Sequence, residues 1–368
     1  MIRKLIYKIL LPAAAFWLFC IPVQAADPAA VKPEQSVAAV QAGQTAQTFA
    51  APVSAYSKLA AGKPVRIAIL GDSIGAGADT DLAHAWYSLL SAWLTKTYGS
   101  QITMDNFSIG GTTSLTGYFQ SETALRQKVQ TDGCYDLVFI CYGVNDAPEN
   151  FSLFYESMLR SVKMQNESCQ IITFLESNTQ GYTKKSDEIR RLSKLYSADV
   201  VDTIQAYALS GLSYEELSPD GTHPNTEGHY LYFETIRPVI EANVAQNKQI
   251  APIPAPYNQY TALYENFTFI PLDACLQEDG SYCFSTFLPT LGIVYRKSPE
   301  NGSIHLDLGT GAVWDGNAYD SCPQPWMTTA PVGLVFAYGT TVSLSNTDGH
   351  IQDTVLGFFA SGRISAAR

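Results

Sequence analysis

The sequence predicts an α/β protein, a three-layer α/β/α sandwich on a parallel sheet, followed by a smaller β-rich domain. Three observations carry this reading. From Val65 to about Ala245, short apolar runs alternate with stretches of helical period, the pattern of repeated βαβ units. The runs are nearly continuously apolar, as strands buried on both faces are. Beyond Ile250 the helical period is lost, and short apolar or alternating runs are separated by Gly, Asn, Asp and Pro.

With 368 residues, 46% hydrophobic and 15% charged, the chain has room for one large domain and a smaller one. A net charge of −11 argues against nucleic acid or an anionic membrane surface as partner. Residues 1–25 read as a secretory signal: Arg3, Lys4 and Lys8 precede an apolar stretch from Ile9 to Ile21, and Val23-Gln24-Ala25 forms a cleavage site before Ala26. That stretch is too short to span a bilayer comfortably, and Phe19 stands before Cys20 where a lipoprotein signal needs a small residue. A secreted or periplasmic protein with no membrane span after cleavage is expected. Residues 26–52, rich in Ala, Gln, Pro and Val, read as a flexible linker.

The compact part is expected from Val53, with a helix over residues 54–61 leading into a strand from Val65 to Leu70. Gly71, Gly75 and Gly77 then permit a sharp turn with positive φ and close backbone approach, presenting Ser73 at the carboxyl end of the strand. Leu82, Trp86, Leu89, Leu90 and Trp93 place a helix over residues 81–94. A second strand over 102–107 runs into Gly110-Gly111, and a helix follows over 124–131. Further strands are expected over 135–142, 170–175 and 199–203, and helices over 151–164, 186–196 and 226–245. Residues 250–256 form a Pro-rich linker, after which strands are expected near residues 267, 292, 304, 332, 340 and 354, as in a β-sandwich or similar β domain.

Gly71-Asp72-Ser73-Ile74-Gly75 fits the G-x-S-x-G pattern of a nucleophile elbow. A phosphate-binding P-loop would need a Lys followed by Ser or Thr, and a dinucleotide fingerprint a third glycine where Asp79 or Thr80 stands. Taken alone, the string reads equally well as a glycine-rich turn with a capping serine. The other loops decide between these readings, because each one after a strand supplies a group that acyl transfer needs. His223 is a general base and acid, and Asp220, three residues earlier on a loop stiffened by Pro219 and Pro224, can fix its tautomer. The amides of Ser73 and Gly111 and the side-chain amide of Asn145 can donate to a developing oxyanion.

Four blocks, Gly71-Asp72-Ser73-Ile74, Gly111 in its Ser-Ile-Gly-Gly-Thr setting, Gly143-Val144-Asn145-Asp146 and Asp220-Gly221-Thr222-His223-Pro224, resemble the GDSL or SGNH hydrolase family over residues 64–245. The resemblance implies a flavodoxin-like sandwich, the SGNH hydrolase fold, with Ser73, Gly111, Asn145 and His223 as the name-giving residues and Asp220 beside the histidine. Ile74 stands where many members have Leu. Gly111 is preferred to Gly110 because the family pattern has Asn four or five residues earlier, here Asn106. The order of the groups argues against the ordinary α/β-hydrolase, since Ser73 follows the first strand and Asp220 nearly adjoins His223. With flavodoxin-like strand order, Cys134 and Cys169 would precede neighbouring strands and are expected to form a disulfide, as are Cys275 and Cys283 within one loop; Cys141 is expected as a buried thiol.

Other residues carry blander readings. His84 and His229 are taken as surface or packing residues, and His305 and His350 receive no role. Asp72 and Asp146 are expected to hold loop backbone, and the Asp79-Thr80-Asp81 string to cap a helix rather than bind a cation. Trp314, Tyr319 and Trp326 are read as core aromatics before sugar-stacking ones. No cofactor or metal is expected. The chain reads as an exported serine esterase, with Ser73, Asp220 and His223 catalytic, acting on a short-chain ester, most plausibly acetyl, of a small molecule or polysaccharide. Its rivals are a lipid or aryl esterase, an acyltransferase to a glycan and, last, a non-catalytic polysaccharide-binding protein. Because all four blocks precede Ala245, a segment ending near Gln249 is expected to fold and act without the tail.

Overall fold

The computed structural model describes residues 52–175, 181–309, 311–333, 340–346 and 351–365. The signal sequence and all but the last residue of the linker expected at 26–52 lie outside the described residues. Val65–Gly71 forms β1, buried everywhere but at Arg66. Its residues alternate between two covered faces: Ile67 and Ile69 pack into one core, Ala68 and Leu70 into the other. Ile102–Asn106 (β2), Leu137–Cys141 (β3), Gln170–Leu175 (β4) and Asp199–Asp202 (β5) complete a parallel sheet of order β2-β1-β3-β4-β5. This is the flavodoxin-like order, whose ligand crevice lies at the carboxyl ends between β1 and β3.

Among the described residues, ten α-helices belong to this part: α1 (Ala55–Ala60), α2 (Ser73–Ala76), α3 (Trp86–Tyr98), α4 (Ser114–Gln120), α5 (Arg126–Asp132), α6 (Phe151–Gln165), α7 (Lys184–Leu195), α8 (Thr203–Leu209), α9 (Tyr214–Leu217) and α10 (Thr226–Ala245). On one face Tyr56, Trp86, Leu90 and Ile236, from α1, α3 and α10, cover Ile67, Phe139 and Phe174. On the other, Tyr118, Tyr155, Met158 and Leu192, from α4, α6 and α7, cover Ala68, Val138 and Ile140. The helix expected from Asp81 begins only at Trp86, because Asp81 spends its carboxylate on the amides of Ala83 and His84 in a preceding turn. The stretch before α5 is helical as well, from Ser114, and passes through a π-turn at Ser121–Leu125. Asp202 ends β5 and caps α8 by accepting from the Gln205 amide at 2.9 Å.

Beyond the linker, Phe267–Pro271 (β6), Tyr282–Lys297 (β7), Ser303–Asp307 (β8), Val313–Asn317 (β9), Trp326–Gly333 (β10), Thr340–Asn346 (β11) and Val355–Ser365 (β12) form one antiparallel sheet. The long β7 unites it. One edge of β7 pairs with β12; the other pairs with β11 near its start and with β10 near its end. Phe358 and Ile293 point into a core of this sheet's own, whereas Phe359 and Val294 point the other way and join the core built on α4 and α6. Tyr118 and Phe119 of α4 meet Phe267 and Phe359 at ring separations of 5.6–6.3 Å. The Pro-rich connection is also fastened: Arg160 of α6 donates to the Pro254 carbonyl at 2.6 Å, and Glu156 accepts from the amides of Tyr257 and Asn258 at 2.5 and 2.9 Å.

Neither expected disulfide is formed: Cys134, Cys169, Cys275, Cys283 and Cys322 are free thiols, and Cys141 is buried, as expected, and in no disulfide. Leu137 pairs with Gln170, which sets Asp136 beside Cys169 and leaves exposed Cys134 further back along the chain. Cys275 and Cys283 flank the isolated bridge between Leu276 and Tyr282, but the Cys275 thiol is turned toward the Pro271 carbonyl at 3.6 Å. Tyr319 is exposed and Trp314 and Trp326 are half-buried, so these aromatics are not the closed core expected of them. No helix among the described residues is long and apolar enough to cross a membrane.

Candidate active site

The register of the parallel sheet brings three loops together. Gly71 pairs with Cys141 and Ile69 with Asn106, so β1, β2 and β3 end side by side and their loops leave from one edge. Ser73 is the first residue of α2, with Asp72 as N-cap accepting from the Ile74 amide at 2.9 Å. Gly71 and Gly75 are required for closeness rather than for positive φ. A Cβ on Gly75 would lie 2.5 Å from Ser108 Oγ, and one on Gly71 would lie 2.9 Å from Cys141 Cβ. Only Gly77 adopts the left-handed conformation, at φ 84°, where α2 ends.

The loop after β5 and α9 supplies the base. His223 Nε2 lies 2.8 Å from Ser73 Oγ, and Nδ1 lies 2.6 Å from Asp220 Oδ2. Asp220 Oδ1 accepts from the amides of Thr222 and His223 at 2.8 and 2.7 Å, a turn that fixes the carboxylate before the imidazole reaches it. Partial desolvation disfavours the charge on Asp220, but those amides and the imidazole outweigh it and hold the carboxyl down at about 2. Asn225 caps α10 immediately afterwards, accepting from Gly228 and donating to the Glu216 carbonyl. Asp79, at φ 63°, brings a second carboxylate to 3.9 Å from His223 Nδ1.

The oxyanion side is built from the loops after β2 and β3. A Cβ on Gly110 would stand 3.6 Å from Ser73 Cβ, so the Gly110-Gly111 turn faces the nucleophile, with Gly111 left-handed at φ 74°. Asn106 joins two of the loops, donating to the Gly75 carbonyl and accepting from the Ser108 amide. Asn145 is exposed, and its amide nitrogen is 3.1 Å from the Thr112 carbonyl and 3.3 Å from Asp72 Oδ2. Asp146 is buried and accepts from the Ser114 amide and hydroxyl at 3.0 and 2.5 Å, while Lys185 of α7 donates to the carbonyls of Gly143, Val144 and Asp146. Asp72 and Asp146 therefore hold loop backbone, as the sequence led us to expect. Burial raises the pKa of both carboxyls.

Ser73, Gly111, Asn145, Asp220 and His223 thus meet in one place. Lys185, Asp79 and Trp326 were not singled out for this site. Lys185 and Trp326 reach it from α7 and β10, where no local motif marks them, whereas Asp79 lies in a string already noted. Of the other histidines, His84 is an exposed partner of Asp81, His305 pairs with Asp315 on the surface, and His229 is buried and bonds the Ala78 carbonyl through Nε2. His350 lies outside the described residues.

Residues 69–231 match the model of the GDSL-like lipase/acylhydrolase family. No curated protein matches the chain. Among solved structures, a two-domain esterase active on acetylated mannans, co-crystallized with mannopentaose, is similar at a TM-score of 0.64 and 20% identity, over 83% of this chain and 94% of that one. The same esterase in a second structure gives 0.64 and 19% over 84% and 94%. The acetyl xylan esterase AlAXEase gives 0.39 and 20% over 48% of this chain and 99% of its own. At such identities the two-domain likeness is one of fold.

Proposed function

Since the segment from residue 69 to 231 belongs to the GDSL-like lipase/acylhydrolase family and the chain is a carboxylic ester hydrolase, we propose that it is an exported serine esterase that removes short acyl groups, chiefly acetyl, from a carbohydrate. The observation that carries the reading is the run of contacts from Ser73 Oγ to His223 Nε2 at 2.8 Å and from Nδ1 to Asp220 Oδ2 at 2.6 Å. In the proposed reaction His223 Nε2 takes the serine proton as Oγ attacks the ester carbonyl, and Asp220, ionised at neutral pH, stabilises the imidazolium by accepting a hydrogen bond from Nδ1–H. The amides of Ser73 and Gly111 and the Asn145 side chain stabilise the oxyanion. To do so Asn145 must redirect one N–H from Thr112 or Asp72 toward the substrate. His223 then protonates the departing alcohol oxygen; water, deprotonated by the same imidazole, attacks the acyl carbon, and as the C–Oγ bond breaks His223 returns that proton to Ser73 Oγ and the acid leaves. The sugar part of the proposal is supported by the two-domain fold shared with a mannan esterase and by the secretory character of residues 1–25, which suits a secreted or periplasmic enzyme.

A panel of aryl esters of graded acyl length, run beside acetylated polysaccharides, tests the proposal. Acetate is expected to be the best acyl group and the polymer to be deacetylated. Ser73→Ala abolishes turnover, and Asn145→Ala lowers kcat on the order of 100- to 1000-fold. A fully active Ser73→Ala enzyme would remove the mechanism, and a preference for long acyl chains with no action on polymer would replace the carbohydrate by a lipid.

A further inference from the structure

The Gly110-Gly111 turn is pinned on both sides. Ile109 donates its amide to the Gly71 carbonyl at 2.9 Å, and the Thr112 hydroxyl donates to the Ile109 carbonyl at 2.6 Å. The Asn145 amide holds the Thr112 carbonyl. What backs Gly111 itself is a side chain from the other sheet. A Cβ built on Gly111 would meet Trp326 at 3.0 Å (Cη2), 3.4 Å (Cζ2) and 3.4 Å (Cζ3), its three nearest heavy atoms. Trp326 opens β10, whose pairing with Lys297 of β7 fixes where the ring starts. Further along, Thr329 of β10 meets Thr116 of α4 at 3.0 Å between buried hydroxyls, which ties the strand to the helix that follows the glycine turn. Lys297 Nζ stands 5.5 Å from the Trp326 ring centroid.

Resting on the esterase reading above, we propose that Trp326 is a positioning residue: its ring holds the Gly110-Gly111 turn in the left-handed conformation that aims the Gly111 amide at the oxyanion. A glycine in that conformation has wide freedom, so a turn that must aim an N–H to within a fraction of an ångström needs an external stop. A flat ring locked by strand pairing is such a stop, and it touches the Cα side of Gly111 without competing for its N–H. The second sheet thereby completes the chemical site.

The test compares full-length Trp326→Ala, Trp326→Leu and Trp326→Phe with wild type on 4-nitrophenyl acetate, a substrate too small to need a remote binding surface. The alanine variant is expected to lose ~10-fold in kcat, through a misaimed donor, with KM little changed. Phenylalanine restores most of that loss. Phosphonylation of Ser73 by a nitrophenyl phosphonate, which builds charge on the same donors, slows in parallel. If the alanine variant does not fold, the leucine variant gives the same reading. Unchanged kcat in the variants that fold, or an effect confined to KM on polymer, would overturn the proposal. An active Ser73→Ala enzyme would instead strike the esterase reading beneath it.

Discussion

Two aspartates beside the proposed reacting groups are driven in opposite directions. Asp72 is fully buried, and burial raises its carboxyl, with the Ile74 amide only partly opposing. Asp220 is exposed and held down by two amides and an imidazole, so it stays charged where the histidine needs an acceptor. The residue types at both positions were legible in the sequence, but their ionisation was not, because it depends on which amides the turns deliver. A third group gives a stability test. His229 is buried on α10, and desolvation lowers its pKa. An unfolded histidine titrates near ~6.5. Below that pH the unfolded chain takes up a proton that folded His229 refuses, so stability is full above ~6.5 and falls as the solution is acidified toward the lower folded value. His229→Gln, which keeps a donor for the Ala78 carbonyl, is expected to flatten the decline of Tm below about pH 6.5 in a thermal-melt series. An unaltered slope would assign the acid loss to other groups.

At the scale of elements, strands and helices marked by strong period were legible, and those made by capping or context were not. The strand Gln170–Leu175 and the helix Thr226–Ala245 coincide with the expected ranges, since each has a continuous apolar run or face. The helix Thr203–Leu209 was hidden because Asp202 serves as both strand end and cap. The Pro-rich connection was read as a stiff linker, yet α6 anchors it through a wholly buried carboxylate. Glu156 accepts from Tyr257 and Asn258 amides and from the hydroxyls of Thr261 and Tyr196 at 2.5–3.2 Å. Glu156→Ala leaves those donors without their acceptor and is expected to cost about 3 kcal/mol in urea-unfolding free energy, a typical sum for two or more unsatisfied buried groups. A cost under about 1 kcal/mol would mean that water replaces the carboxylate and that the anchor is weak.

The whole molecule departs from the separable tail expected at first. Val294 and Phe359 of the second sheet lie in the same core as Tyr118, Phe119 and Tyr155, so cutting after Gln249 strips a buried aromatic layer from α4 and α6. Apolar faces of this kind favour association once exposed. A chain ending at Gln249 is therefore expected to be insoluble, or to melt well below the full-length protein and hydrolyse 4-nitrophenyl acetate poorly; circular dichroism and kinetics of the purified segment check this, and a soluble, fully active segment would restore the separable reading. The sequence by itself determined the alternation of strands and helices, the parallel sheet and the residue types of Ser73, Gly111, Asn145, Asp220 and His223, because periodicity and short loop motifs are local. Only the tertiary structure decided that Lys185 clasps the Asn145 loop, that Trp326 rests on Gly111 and that Phe359 enters the first core. Those contacts join residues far apart in the chain through strand register and helix packing, and no local pattern encodes which distant surface a half-buried aromatic or lysine will meet.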